Sequence, residues 1–200
     1  MPFDVGRVQK EIVDIGRDKT SGVSVELSHP ETGTLQRLVG RLPGPKDTPY
    51  DGGIFYVNIE LDDSYPFVPP KVRFITKVWH PNISSASGAI CLDILKDQWT
   101  PALTLKTVLL SLQALLSTPQ PDDPQDAVVA KQYLNSVSEF RATAKQWTET
   151  YAHSAQLVSR PEKLKMLTEM GFSEELASKA LDKAMGDENS AMELLLGGNI

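Results

Sequence analysis

Val5, Val8, Ile12 and Ile15 recur every three or four residues, and this spacing predicts an amphipathic helix at the start of the chain. Lys19 to Gly22 ends it, and the period then changes to two. Val23, Val25 and Leu27 alternate with Ser24 and Glu26, as in a half-buried strand. A turn at His29-Pro30-Glu31-Thr32-Gly33 leads to a second apolar run, Leu35 to Leu42. After the turn-rich GPKDTPYDGG comes the cleanest alternation in the chain. Phe55, Val57, Ile59 and Leu61 point one way, and Tyr56, Asn58 and Glu60 the other. A fourth short strand follows YPFVPP, with Val72 and Phe74 opposite Lys71 and Arg73. Strands in direct succession, with no helix between them, predict an antiparallel meander and an α+β fold.

From Val78 to Pro101 the pattern has no period. So long an irregular stretch inside a compact domain is a place to look for function. Helical spacing resumes at Leu105, Val108, Leu109, Leu112 and Leu115, and stops at PQPDDPQD. It returns through Val128 to Leu134 and Phe140 to Tyr151. The last forty residues predict three short capped helices. Pro161 suits a first helical position, and Gly171 a left-handed helix stop. Ser173 suits an N-cap, with Glu174 and Glu175 in the first turn. Gly186 and Asp187 divide the second helix from the third, and Gly197 and Gly198 end it. The expected organisation is a main domain over 1–152, a linker over 153–160 and a small three-helix unit over 161–200.

Composition narrows the function classes. The chain has 200 residues, a net charge of −6 and no basic stripe, which argues against nucleic acid as a partner. No apolar stretch approaches the roughly 20 residues that span a bilayer, and the charged N-terminus has no signal-peptide core. One cysteine permits neither an internal disulfide nor a multi-cysteine zinc site. A reducing cytosolic or nuclear setting follows as the expectation. His29, His80 and His153 are too scattered to suggest a metal cluster.

The cysteine, Cys91, is a weak signal by itself, since lone cysteines are more often small buried hydrophobes than nucleophiles. It nevertheless lies within the irregular stretch. A cysteine protease would need a histidine base. His80 is in reach by sequence, but His80-Pro81-Asn82 is a tight turn whose histidine serves equally well to hold its own backbone. Spacing alone does not decide between these readings.

The string HPNISSASGAICLDILKDQW resembles the active-site signature of ubiquitin-conjugating enzymes. In that family an HPN turn precedes the thioester cysteine and a tryptophan follows it, here His80-Pro81-Asn82, Cys91 and Trp99. The resemblance extends through PGPKDTPYDGGIF, YPFVPPKVRF, LLSLQALL and PDDPQDAVVA, covering roughly residues 1 to 151. It implies the family's fold: an N-terminal helix, a four-stranded meander, a loop bearing the cysteine, then helices.

The resemblance also implies roles. Cys91 would take ubiquitin from an activating enzyme by transthiolation, which needs no histidine base because the incoming ester is already activated. Asn82 matches the asparagine that supports an oxyanion or orders the loop, and Asp123 the acidic residue at the mouth of the site. A carboxylate there would raise the pKa of an attacking lysine, so positioning and proton acceptance are its expected work. His80 would hold the turn, and Asp93 is a weaker candidate for acidic support. Phe67, Pro101 and Ala102 match the surface that binds RING-type ligases, although by pattern alone Phe67 reads as core and Pro101 as a turn. Arg7 and Lys10 match the contact with the activating enzyme. Lys96 is close enough in sequence to receive ubiquitin itself.

The C-terminal unit resembles a ubiquitin-associated domain, with Met170-Gly171-Phe172 and Leu194-Leu195-Leu196 as its signature. Met170, Gly171, Phe172 and Leu196 would form its ubiquitin-binding patch. Conjugating enzymes with this second domain build polyubiquitin chains. No cofactor is implied, ATP being used by the activating enzyme, and a monomer is expected. Two rivals follow from other classes: an inactive family variant that only binds, and an enzyme for another ubiquitin-like modifier.

Overall fold

The computed structural model describes residues 3–152, 160–184 and 188–197, with only the backbone of 160–162 and 188–189. It divides into two compact units, Met1–Ser154 and Ala155–Ile200. Of the expected linker only Arg160 lies within the described residues. His153, Gly186, Asp187 and Gly198 fall outside them.

The first unit opens with helix α1 (Val5–Arg17), capped by Asp4, whose side chain accepts from the Arg7 N–H. Val8 and Ile15 are buried and Ile12 half-buried, whereas Val5 is 47% exposed. The apolar stripe therefore starts one turn later than its spacing suggests. Strands β1 (Ser24–Leu27), β2 (Arg37–Pro43), β3 (Ile54–Glu60) and β4 (Lys71–Phe74) form one antiparallel sheet in that order. Register follows the alternation: Leu38 faces Ile59, and Val57 faces Phe74. A slip of one residue would turn these buried side chains to the opposite face.

Helix α2 (Leu105–Ser117) lies against β2 and α1. It buries Leu105, Val108, Leu109, Leu112, Leu115 and Leu116, each contributing up to about 2 kcal/mol through removal from water. Thr104 caps its start. Helices α3 (Ala127–Asn135) and α4 (Val137–Tyr151) pack on each other, divided by Ser136, which caps α4. The buried positions of α3 are Val129 and Ala130. Val128 and Leu134, which carry the expected apolar pattern, are 69% and 63% exposed.

The second unit contains α5 (Arg160–Glu169), α6 (Glu174–Lys183) and α7 (Glu188–Leu196) around its own core of Leu167, Ala177, Ala180, Leu181, Ala191 and Leu195. Pro161 is the second residue of α5. Gly171 has φ +97°, its N–H reaches the Thr168 carbonyl, and the Phe172 N–H reaches that of Leu167. This is a Schellman helix stop, with Phe172 folded onto the small core beside Leu167. Ser173 caps α6. Among the described residues, no helix is long and apolar enough to cross a membrane.

Candidate active site

The stretch from Val78 to Pro101 has fixed geometry without being a helix or a strand. Its middle is a tight hairpin. Ile83 bridges Ile90, the Ser84 N–H donates to the Ala89 carbonyl, and the Cys91 N–H donates to that of Asn82 at 2.9 Å. The hairpin is tied to β4, where the Phe74 N–H donates to the Gly88 carbonyl at 2.9 Å. Gly88 has φ +69°, and a Cβ there would stand 2.0 Å from the Phe74 oxygen, so only glycine permits the contact. A short 3-10 turn (Asp93–Leu95) follows the cysteine.

Cys91 is half-buried. Its thiol donates to Asp123 Oδ2 at 3.3 Å, and Lys96 Nζ donates to the sulfur, also at 3.3 Å. The Lys96 ammonium is held above its ordinary pKa, first by its bond to Cys91 and by that group's charge, then by Asp123 and Asp97, with burial opposing. The sulfur thus lies between a carboxylate and an ammonium, and among the described residues no imidazole is bonded to it.

His80 and Asn82 lie behind the sulfur. His80 is fully buried; its Nε2 donates to the Leu115 carbonyl and its Nδ1 accepts from the Asn82 N–H, both at 3.0 Å. Burial pushes its pKa down to about 4, against the opposing effect of the Leu115 bond. The ring is neutral and structural. The Asn82 amide donates to the Gln120 and Asp123 carbonyls at 2.8 and 2.9 Å, and its oxygen accepts from the Gln120 N–H at 2.8 Å. All three bonds go to the segment that carries Asp123. Asp93 accepts from its own neighbour, the Ile94 N–H, and its side chain makes no bond to the sulfur.

The remaining candidates fall in two places. Phe67 is 63% exposed, contrary to its reading as core, because the Trp99 indole N–H donates to the Pro66 carbonyl at 2.8 Å and Tyr65 fills the interior beneath. Pro101 and Ala102 are exposed in the turn before α2. Arg7 is not a free cation: Nη2 donates to the Pro101 and Leu103 carbonyls at 3.1 and 3.0 Å, and Nε donates to Glu11. Lys10 is exposed. In the second unit Gly171 is exposed, Met170 is 54% exposed and Leu196 73%, while Phe172 is half-buried.

Three bonded positions near these candidates escape the sequence pattern. Glu11 is 5% exposed and accepts from Tyr65 Oη, from the Leu105 N–H at 2.7 Å and from Arg7. Its signal was its place inside the apolar stripe, three residues after Val8 and four before Ile15. Ser85 and Asp126 bond each other; Asp126 stands where an N-cap belongs, directly before a helix.

The ubiquitin-conjugating enzyme family matches residues 7–148. The chain is 55% identical over 194 residues to ubiquitin-conjugating enzyme E2 27 of Arabidopsis thaliana, covering 96% of this chain and 98% of that protein. It is 48% identical over 196 residues to ubiquitin-conjugating enzyme E2 K of Homo sapiens, covering 96% of each. The solved E2 domain of a Toxoplasma gondii ubiquitin-conjugating enzyme is similar with a TM-score of 0.69 and 51% identity, covering 74% of this chain and 97% of that one. With a cysteine hairpin of this geometry, a family match over most of the chain and relatives alike along nearly all of it, the chain belongs to the ubiquitin-conjugating enzymes, which work with ubiquitin, its activating enzyme and ubiquitin ligases.

Proposed function

We propose that Cys91 carries ubiquitin as a thioester and passes it to a lysine amine, often one on another ubiquitin. The observation that carries this is the half-buried sulfur held at 3.3 Å from both Asp123 and Lys96. In charging, the Cys91 sulfur attacks the thioester carbonyl on the activating enzyme, whose cysteine leaves. In transfer, the acceptor amine attacks the Cys91 thioester, the Cys91 thiolate leaves and the amine gives up a proton. Asp123, whose carboxylate meets the sulfur, holds the incoming lysine and accepts that proton. Asn82 acts by holding the Asp123 segment, since its amide is already occupied there; His80 holds Asn82.

Phe67, Pro101 and Ala102 form the platform for a RING-type ligase, and Arg7 with Lys10 the side that meets the activating enzyme. Met170, Gly171 and Leu196, with Phe172 behind them, form the ubiquitin-binding patch of a ubiquitin-associated domain. The two units are read as a catalytic domain and this module. Cys91→Ser incubated with activating enzyme, ATP and ubiquitin should form an ester stable to thiols; no ester would sink the reading. Chain assembly with lysine-substituted ubiquitins, by the full chain and by one ending at Ser154, then reads linkage and the module's share.

Lys96 is also near enough to take ubiquitin in place of a substrate. A lysine amine is protonated at neutral pH, so self-modification should climb as pH rises toward the lysine range. Mass spectrometry of the charged enzyme across pH checks this, and a pH-independent yield would contradict it.

A further inference from the structure

Two latches hold the segment after α2 against the cysteine hairpin. One is the Asn82 amide. The other is Asp126, to which nothing above gives a part in the reaction. Its Oδ2 accepts from the Ser85 N–H at 3.0 Å and from Ser85 Oγ at 2.6 Å, and its Oδ1 accepts from the Val128 and Val129 N–H groups at 3.2 Å. The backbone N–H groups of Gln125 and Asp126 both donate to the Pro81 carbonyl at 2.9 Å. Burial works to raise the pKa of Asp126, but the Ser85 hydroxyl and amide and the α3 amides outweigh it and hold the carboxyl below its ordinary value.

Asp123 lies between the latches. Its carbonyl is taken by Asn82, and its N–H donates to the Gln120 carbonyl. Three residues later the chain is fixed to Pro81 and Ser85, on the same hairpin that presents Cys91. A short span pinned at both ends leaves its middle side chain few directions, and here that side chain reaches the sulfur. An Asp whose only work was to cap α3 would need the Val128 and Val129 bonds alone. The second oxygen is spent on the hairpin.

We propose that Asp126 is a positioning residue for transfer to lysine: by clamping Ser85 to the start of α3 it fixes Asp123 at the sulfur, and so the line along which an acceptor amine reaches the thioester. This rests on the reading of Asp123 given above.

The test is single-turnover discharge of the purified ubiquitin thioester of the full chain, with free lysine over a range of concentrations, and in parallel with hydroxylamine, an amine already neutral at pH 7. Asp126→Ala should slow lysine discharge about tenfold, while hydroxylamine discharge and charging by the activating enzyme stay within about twofold. Combined with Asp123→Asn it should lose little beyond the worse single variant, as for residues acting as one unit. Asp126→Asn has one amide oxygen where two carboxylate oxygens now serve Ser85 and the α3 amides, so it should recover only part of the rate. Ser85→Ala, which leaves the α3 cap intact, should slow lysine discharge roughly threefold for the one bond lost. Equal losses with both amines, full additivity with Asp123→Asn, or a native rate for Ser85→Ala would each overturn the proposal. If Asp123→Asn itself discharges normally, the reading of Asp123 fails first. If Asp123→Asn is slow and Asp126→Ala is not, the clamp alone is refuted.

Discussion

Asn82 is 2% exposed, and its amide satisfies two carbonyls and one N–H of a segment 38 to 41 residues further along the chain. Removing it leaves three polar groups unpaired, each costing on the order of 1 kcal/mol. Asn82→Ala should therefore lower unfolding stability by about 2–3 kcal/mol in urea titration, as well as slow transfer. A loss of activity at unchanged stability would instead point to direct work at the oxyanion. His80 gives a pH signature. Its folded pKa of about 4 lies below its ordinary value of 6.5, so the unfolded chain takes up the proton more readily. The stability this contributes is complete above pH 6.5 and is lost as pH falls toward 4, about 3 kcal/mol in all. Urea midpoints measured across that window check it.

At the scale of elements, one carboxylate joins three pieces. Glu11 on α1 accepts from Tyr65 before the Phe67 loop and from the first amide of α2, and Arg7 beside it reaches the carbonyls of Pro101 and Leu103. Glu11→Ala should cost about 3 kcal/mol, because it strands a buried hydroxyl and an amide and removes the carboxylate that pairs with Arg7. Differential scanning calorimetry reads that loss. Phe67→Ala, at an exposed position, should change stability by less than about 0.5 kcal/mol yet weaken ligase binding, measured by titration calorimetry. Strands β1, β3 and β4 were legible from alternation, β2 from its apolar run and helix α2 from helical spacing, since each follows a local pattern. Phe67 and the α3 stripe were not. Whether an apolar side chain is buried there depends on what arrives from distant segments: Tyr65 and Trp99 already occupy the space under Phe67, and α3 turns Val129 rather than Val128 inward. Cys91 and Asp123 were legible from the family motifs and Lys96 from its nearness in sequence, but the bonds of Asp126 to Ser85 belong to a long-range pattern that no period records.

The whole molecule carries two separate cores, one around the sheet and α2, the other within α5 to α7. A chain ending at Ser154 should fold and form the Cys91 thioester, checked by circular dichroism and a gel sensitive to reducing agent. It should lose affinity for free ubiquitin, which Leu196→Ala in the full chain should reproduce. The contact at Gly88 has a broader consequence. Because the backbone of the cysteine hairpin lies against Phe74 with no room even for a methyl group, the reactive loop is in effect an edge of the sheet. Its chemistry is stiff and can be copied unchanged from one target to the next. Diversity of targets then has to be supplied by whatever carries the lysine to the sulfur, leaving evolution free to vary the adaptors while the reacting centre stays the same.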